Sequence, residues 1–343
     1  MSVSLSAPQP HPTLRTAPRV GFLGVGWIGR HRMQAALEAG VLEAAAVVDP
    51  EPGNRAEAAR LAPDALIADS LDALLDEQLD GIVIATPSAL HAEQAIAALD
   101  RGVAVFCQKP LGRNAGEVRA VVEAARRADR LLDVDLSYRF TEAMRRIRPL
   151  VRNGAIGHVH AVDLVFHNAY GPDKPWFYDP RLSGGGCVMD LGIHLVDLAL
   201  WTLDFPEVTR VSSALSCGGQ PLADRARQCE DHGFATLQLA NGAVVRLACS
   251  WRLHAGQDAV ISASFYGTEG GAAFRNVDGS FYDFAAERFT GTARETLALP
   301  PDAWGGRALV DWARRLGESA RFDDAAARLI DVADVLDRIY IGR

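Results

Sequence analysis

The chain has 343 residues, of which 49% are hydrophobic and 23% charged, the balance of a folded globular protein. That length exceeds what one typical core fills, so two domains are expected. A formal net charge of −8, with both signs mixed along the chain, argues against nucleic acid as a main partner, because phosphate binding wants a basic patch.

Residues 1–18 are rich in Pro, Ser and Thr and lack an apolar core, so they read as a disordered tail rather than a signal peptide. No stretch approaches the roughly 18 uninterrupted apolar residues that span a bilayer, and no membrane partner is expected. The five cysteines (Cys107, Cys187, Cys217, Cys229 and Cys249) form no CxxC pair. Neither a disulfide framework nor a metal site is therefore expected, and the cytoplasm is the expected location.

Residues 19–24 (RVGFLG) read as a short buried strand, followed by GVGWIG and a segment with helical spacing that ends in glycine. Gly24 permits a tight turn. Gly26 lets the backbone approach a pyrophosphate, and Gly29 lets the helix pack closely on the strand, with Trp27 and Ile28 between them at the helix start. A second apolar run (LEAAAVVD) ends in Asp49, 20 residues after Gly29, where a dinucleotide fingerprint has its ribose-binding acid. An acid there repels a 2′-phosphate, which favours NAD over NADP. The alternative is that Asp49 only opens the turn DPEPGN.

The alternation then continues. DSLDALLDEQLD reads as a helix, GIVIAT as a strand, SALHAEQAIAALDRG as a helix, VAVFCQ as a strand, NAGEVRAVVEAARRADR as a helix and LLDVDLSYRF as a last strand. Repeated βα units build a doubly wound parallel sheet that binds ligands beyond the carboxyl ends of its strands, giving a Rossmann domain over 19–140. TPSALH and QKP stand at two of those strand ends.

From 141 to 343 the rhythm changes to strand-like segments (GHVHAVDLVFHNAY, EVTRVSSALSC, HGFATLQLA, AVVRLACSW, AVISASFYG), with a hairpin signal at Asn241-Gly242. An α+β domain with a large, mostly antiparallel open sheet is expected. SGGGCVMDLGIHLVDLALWTLD interrupts it as a glycine turn and an apolar helix. Two amphipathic helices close the chain, with packing back on the first domain as the expectation.

Four segments carry a family resemblance: GVGWIG at 24–29, ATPSALH at 85–91, CQKPL at 107–111 and GGGCVMDLGIH at 184–194. In that order, across the switch from βα units to a sheet, the chain resembles the Gfo/Idh/MocA oxidoreductases, which include glucose–fructose oxidoreductase and inositol dehydrogenases. The resemblance implies hydride transfer between NAD(P) and a hydroxyl or ketone carbon of a sugar, sugar acid or inositol. It implies that Lys109 marks the junction of cofactor and active site, and that Asp190 and His194 approach the nicotinamide from the substrate domain. Four positions apart on one helix, these two share a face.

Alcohol oxidation needs a group to take the hydroxyl proton. Lys109 and His194 are assigned jointly to proton transfer, His194 as the direct acid/base, with Asp190 orienting substrate or histidine. The family commonly has Glu-Lys-Pro, whereas here Gln108 precedes Lys109 and lacks the negative charge that would hold the lysine protonated. Thr86, Pro87 and Gln108 are expected at the cofactor, and His91 there or in a structural role. Tyr138 and Arg139 are expected to face the cleft, and Trp176 to stack on a sugar ring. Relatives of this kind pair through the open sheet, so a homodimer or homotetramer is expected. Two other functions stay open: an NAD-dependent glycosidase that oxidises its sugar transiently, and a non-catalytic nucleotide or sugar sensor.

Overall fold

The computed structural model describes residues 17–342, and the tail expected over 1–18 lies, from residue 1 to 16, outside them. The first domain is a six-stranded sheet: β1 (Arg19–Leu23), β2 (Glu43–Val48), β3 (Leu66–Ile67), β4 (Gly81–Ile84), β5 (Ala104–Cys107) and β6 (Leu132–Val134). The strands lie in the order β3-β2-β1-β4-β5-β6 and every pair is parallel. Strands β4 and β5 are buried along their whole length, which parallel strands covered by helices on both faces require. The helices are α1 (Trp27–Glu38), α2 (Pro52–Leu61), α3 (Leu71–Leu75), α4 (Ser88–Asp100) and α5 (Ala115–Ala128). Chain order reverses between β1 and β4, and the crevice opens at that switch point.

Two local readings are corrected. The last strand stops at Val134, where its pairing with β5 ends, and Ser137–Phe140 form a 3₁₀ turn instead. The stretch after Asp49, read as a turn, runs on into α2, with Pro52 in its first turn, where a missing N–H costs nothing.

The second domain opens with α6 (Glu142–Arg152) and is dominated by a nine-stranded sheet. Its strands are β7 (Val159–Asn168), β8 (Val208–Cys217), β9 (Gln220–Pro221), β10 (His232–Leu239), β11 (Val244–Ser250), β12 (Ala259–Gly267), β13 (Gly271–Asn276), β14 (Phe284–Thr290) and β15 (Ala293–Ala298). They lie in the order β15-β14-β13-β12-β7-β11-β10-β8-β9, and only the β7–β11 pair is parallel. The hairpin read at Asn241-Gly242 joins β10 and β11, with Gly242 at φ +88°. Strands β13 to β15 carry no sequence signal. They are rich in alanine and mixed charge and poor in the β-branched residues that mark a strand.

The glycine turn leads into one helical run from Pro180 to Thr202. It comprises α7 (Pro180–Ser183), a π-turn (Val188–Gly192) and α8 (Ile193–Thr202). This run is long and apolar enough to cross a membrane, but it lies mostly buried inside the fold as a core helix. The chain then returns to the first domain. Helix α9 (Arg307–Glu318) seats Trp312 against Phe106 and over Gly81, where a Cβ would stand 2.5 Å from the indole. Helix α10 (Arg328–Ile341) packs along α5 and α8.

Candidate active site

The loop from β1 to α1 shows three glycines under three constraints. Gly24 has φ +86° and lies against the Ala85 carbonyl, where a Cβ would come within 2.6 Å. A Cβ on Gly29 would stand 2.2 Å from the Gly24 carbonyl oxygen, so helix and loop touch backbone to backbone. Gly26 meets nothing nearer than Asn54 at 4.0 Å and faces the cleft. No acidic residue occupies the first turn of α1 and no side chain caps it, leaving its amides for an anion.

Asp49 sits behind this loop, 7% exposed. One carboxylate oxygen accepts from the Val25 N–H at 2.8 Å. The other accepts from the Glu51 N–H at 2.9 Å and the Asn54 amide at 3.1 Å. It therefore braces the glycine loop and opens the turn as well, and Asn54 rather than Asp49 lines the cleft.

At the ends of β4 and β5 the loops are tied by His91. Its ring nitrogens lie 2.7 Å from the Thr86 carbonyl and 2.6 Å from the Pro110 carbonyl. Burial pulls this imidazole below its ordinary pKa, against the two carbonyls that favour the charged form. His91 thus clamps the TPS and QKP turns while also lining the cleft. Thr86 donates to Gln94 at 2.6 Å. Pro87 occupies the N-cap of α4.

Lys109 follows β5 and crosses to the second domain. Its Nζ donates to the Asp190 carboxylate and to the Asp190 carbonyl, both at 2.7 Å. The other carboxylate oxygen of Asp190 accepts from the Trp251 indole at 3.0 Å. The negative charge that Gln108 lacks is therefore supplied by Asp190 in direct contact. A second carboxylate, Asp135, accepts from the Gln108 amide at 2.6 Å.

Glu230 aims the helical run. This carboxylate is 1% exposed and accepts from the N–H groups of Gly186 (3.0 Å) and Val188 (2.9 Å) and from the Tyr340 hydroxyl at 2.8 Å. A Cβ at Gly185 would meet the Tyr340 hydroxyl and one at Gly186 the Glu230 carbonyl, each at 1.9 Å, so the glycine turn is a close-approach site. A π-turn follows, and Asp190 lines the large cleft while His194 lines a second chamber beside it.

The cleft measures about 810 Å³ and runs from Gly26, Trp27 and Ile28 past Thr86 and Pro87 to Gln108, Lys109 and Asp190, with Trp176 on its far wall. The chamber of about 210 Å³ adjoins it at Trp27, Ile28, Gln108 and Lys109, and is lined further by His194, Tyr138, Tyr282 and Trp304. Lys109 belongs to both. Burial, and then the charges of Lys109 and Arg32, push the His194 imidazole well below its ordinary 6.5. The Tyr138 ring packs edge-on against it, with centroids 4.8 Å apart.

Arg139 does not reach the cleft, contrary to expectation. Its guanidinium forms a two-pronged pair with the buried Asp197 and lies over Trp201 and Phe205. Sequence reading missed Arg32, Asp135, Glu230, Trp251 and Tyr340. Of these only Asp135, a charge at the end of an apolar strand, carried a usable signal.

Two family descriptions match this chain in tandem. Residues 18–136 match an oxidoreductase family with an NAD-binding Rossmann fold, and residues 144–273 match the GFO/IDH/MocA C-terminal domain. The chain belongs to the Gfo/Idh/MocA family. It is 29% identical to the D-glucoside 3-dehydrogenase of Escherichia coli K12 over 58% of this chain, and the match spans 60% of that enzyme, less than two thirds of its length. It is 28% identical to the levoglucosan dehydrogenase of Pseudarthrobacter phenanthrenivorans, over 74% of this chain and 73% of that one. The fold is shared with GenD2 of gentamicin A biosynthesis, solved with NAD, at a TM-score of 0.80 and 23% identity over 99% of this chain and 97% of that one.

Proposed function

We propose that this family member is an NAD-dependent dehydrogenase or reductase acting on a secondary hydroxyl or ketone of a sugar, sugar acid or cyclitol. The observation that carries this reading is Lys109, held by Asp190 across the domain junction where the dinucleotide-sized cleft meets the chamber of His194. The glycine cradle open at Gly26 and the uncapped start of α1 fit a pyrophosphate. NAD bound there supplies the hydride acceptor for oxidation.

The protein residues handle the proton and the charge. His194 is neutral at working pH, so it accepts the hydroxyl proton as the carbon–hydrogen bond breaks. Lys109 donates to the same oxygen and stabilises the charge developing there, while Asp190 and Trp251 fix its direction. Trp176, half-buried on the cleft wall, offers its face to the apolar side of a sugar ring.

The preference for NAD rests on Asp49. A carboxylate behind the adenosine end repels a 2′-phosphate. Self-association through the open face of the nine-stranded sheet is part of the same reading. That face presents Phe234, 54% exposed, and Tyr266, 37% exposed, amid small side chains. Light scattering is expected to give the mass of a dimer or tetramer, and a monomer's mass would remove this part.

NADH formation should be followed with methyl β-D-glucoside, levoglucosan, myo-inositol and gluconate. Turnover is expected with at least one, and steady accumulation of NADH separates a dehydrogenase from a transiently oxidising glycosidase. His194→Ala should lower kcat/KM about 100-fold or more. Because the base must be neutral, activity is lost only as pH falls through its depressed pKa, so the acid limb of kcat/KM should lie below pH 6.5. An acid limb above 6.5, or near-normal turnover in folded His194→Ala, would remove His194 from proton transfer. Asp49→Ser should lower the ratio of KM for NADP to KM for NAD; an unchanged ratio counts against the cofactor assignment.

A further inference from the structure

Three buried polar groups converge at the chamber that Lys109 and His194 also line. Arg32 of α1, 6% exposed, donates through Nε to Asp135 Oδ2 at 2.6 Å. Gln108, at the end of β5, donates through Nε2 to the same oxygen at 2.6 Å. Asp135, just past β6, is 1% exposed. One carboxylate oxygen therefore joins the start of the cofactor helix to the ends of two strands, and all three residues line the chamber that holds Lys109 and His194.

We propose that Asp135 is the positioning residue of this site: it locks Arg32 against Gln108 and balances a guanidinium that Lys109 and His194 would otherwise face bare. The proposal rests on the roles given to Lys109 and His194 above. Its physical basis is the cost of an unpaired buried charge, which neighbouring cations feel strongly where water is excluded. Asp135 touches no reacting atom on this account and acts through its neighbours.

Several charged and titratable groups line the two cavities with Lys109. From α1 come Arg30, His31 and Arg32, from α4 His91, from the turn after β6 Asp135 and Tyr138, and from the loop before β14 Tyr282. The helical run supplies Asp190 and His194, and the cleft wall Asp173 and Lys174. Removing the Asp135 charge while Arg32 stays removes a negative neighbour and leaves a positive one, which disfavours the lysine ammonium.

The sequence makes this measurable without turnover. Lys109 and Lys174 are the only lysines, so protein labelled with ¹³Cε-lysine gives two lysine signals. In Asp135→Asn the Lys109 titration midpoint should fall, the Lys174 midpoint should stay put, and kcat should drop about tenfold with the KM for NAD changed less than about twofold. The swap Gln108→Glu/Asp135→Asn returns a carboxylate to Arg32 from the neighbouring position and should restore both the Lys109 midpoint and kcat.

An unmoved Lys109 midpoint in folded Asp135→Asn overturns the proposal. So does a swap variant no better than the single one, because the role would then be shape rather than charge. If Asp135→Asn does not fold, a folded swap variant with a wild-type Lys109 midpoint supports the proposal, and an unfolded one overturns it. Absence of turnover in the wild type would sink the dehydrogenase reading alone, since the lysine titration still decides the role of Asp135.

Discussion

The ion pair between Lys109 and Asp190 is the constraint on which the site depends. It joins the end of a Rossmann strand to the helical run of the second domain, with both side chains mostly screened from water. Such a pair is a poor source of stability, because desolvating two charges offsets most of their attraction. Its value is geometric. It fixes one cation at the boundary of two cavities and makes the relative placement of the domains part of the site's chemistry.

The surrounding structure holds each end in place. On the first domain, His91 ties the turn after β4 to the turn after β5, and Asp135 ties β5 and β6 to α1. On the second, Glu230 and Tyr340 grip the glycine turn, so the last helix of the chain sets the position of Asp190. The glycines at 185 and 186 are consequences of that grip, since any side chain would occupy the space of Tyr340 or Glu230. Closing the C-terminal helices over both domains unites these supports in one body.

Much of the fold was legible in the sequence because its signals are local: a glycine loop between strand and helix, buried apolar runs, an Asn-Gly turn. The residues of the site were legible where a short motif carries them, as with Lys109, Asp190 and Gly26. The rest depends on contacts between distant segments, which no spacing encodes. Nothing near Glu230 announces that it caps a helix more than 40 residues earlier, and nothing near Trp251 announces its bond to Asp190. Arg139 misled because its buried partner, Asp197, lies 58 residues along the chain, and Gln108 misled because its missing charge is made good by groups elsewhere in the chain.

The central claim is that Lys109 and Asp190 act as one unit across the domain junction. A double-mutant cycle of Lys109→Met and Asp190→Asn, read in kcat/KM with whichever polyol the wild type oxidises, tests it most directly. If the pair is one unit, each single variant loses about 100-fold or more and the double variant loses little beyond the worse single one. Losses that simply multiply would mean that the two residues act independently, and would contradict this account.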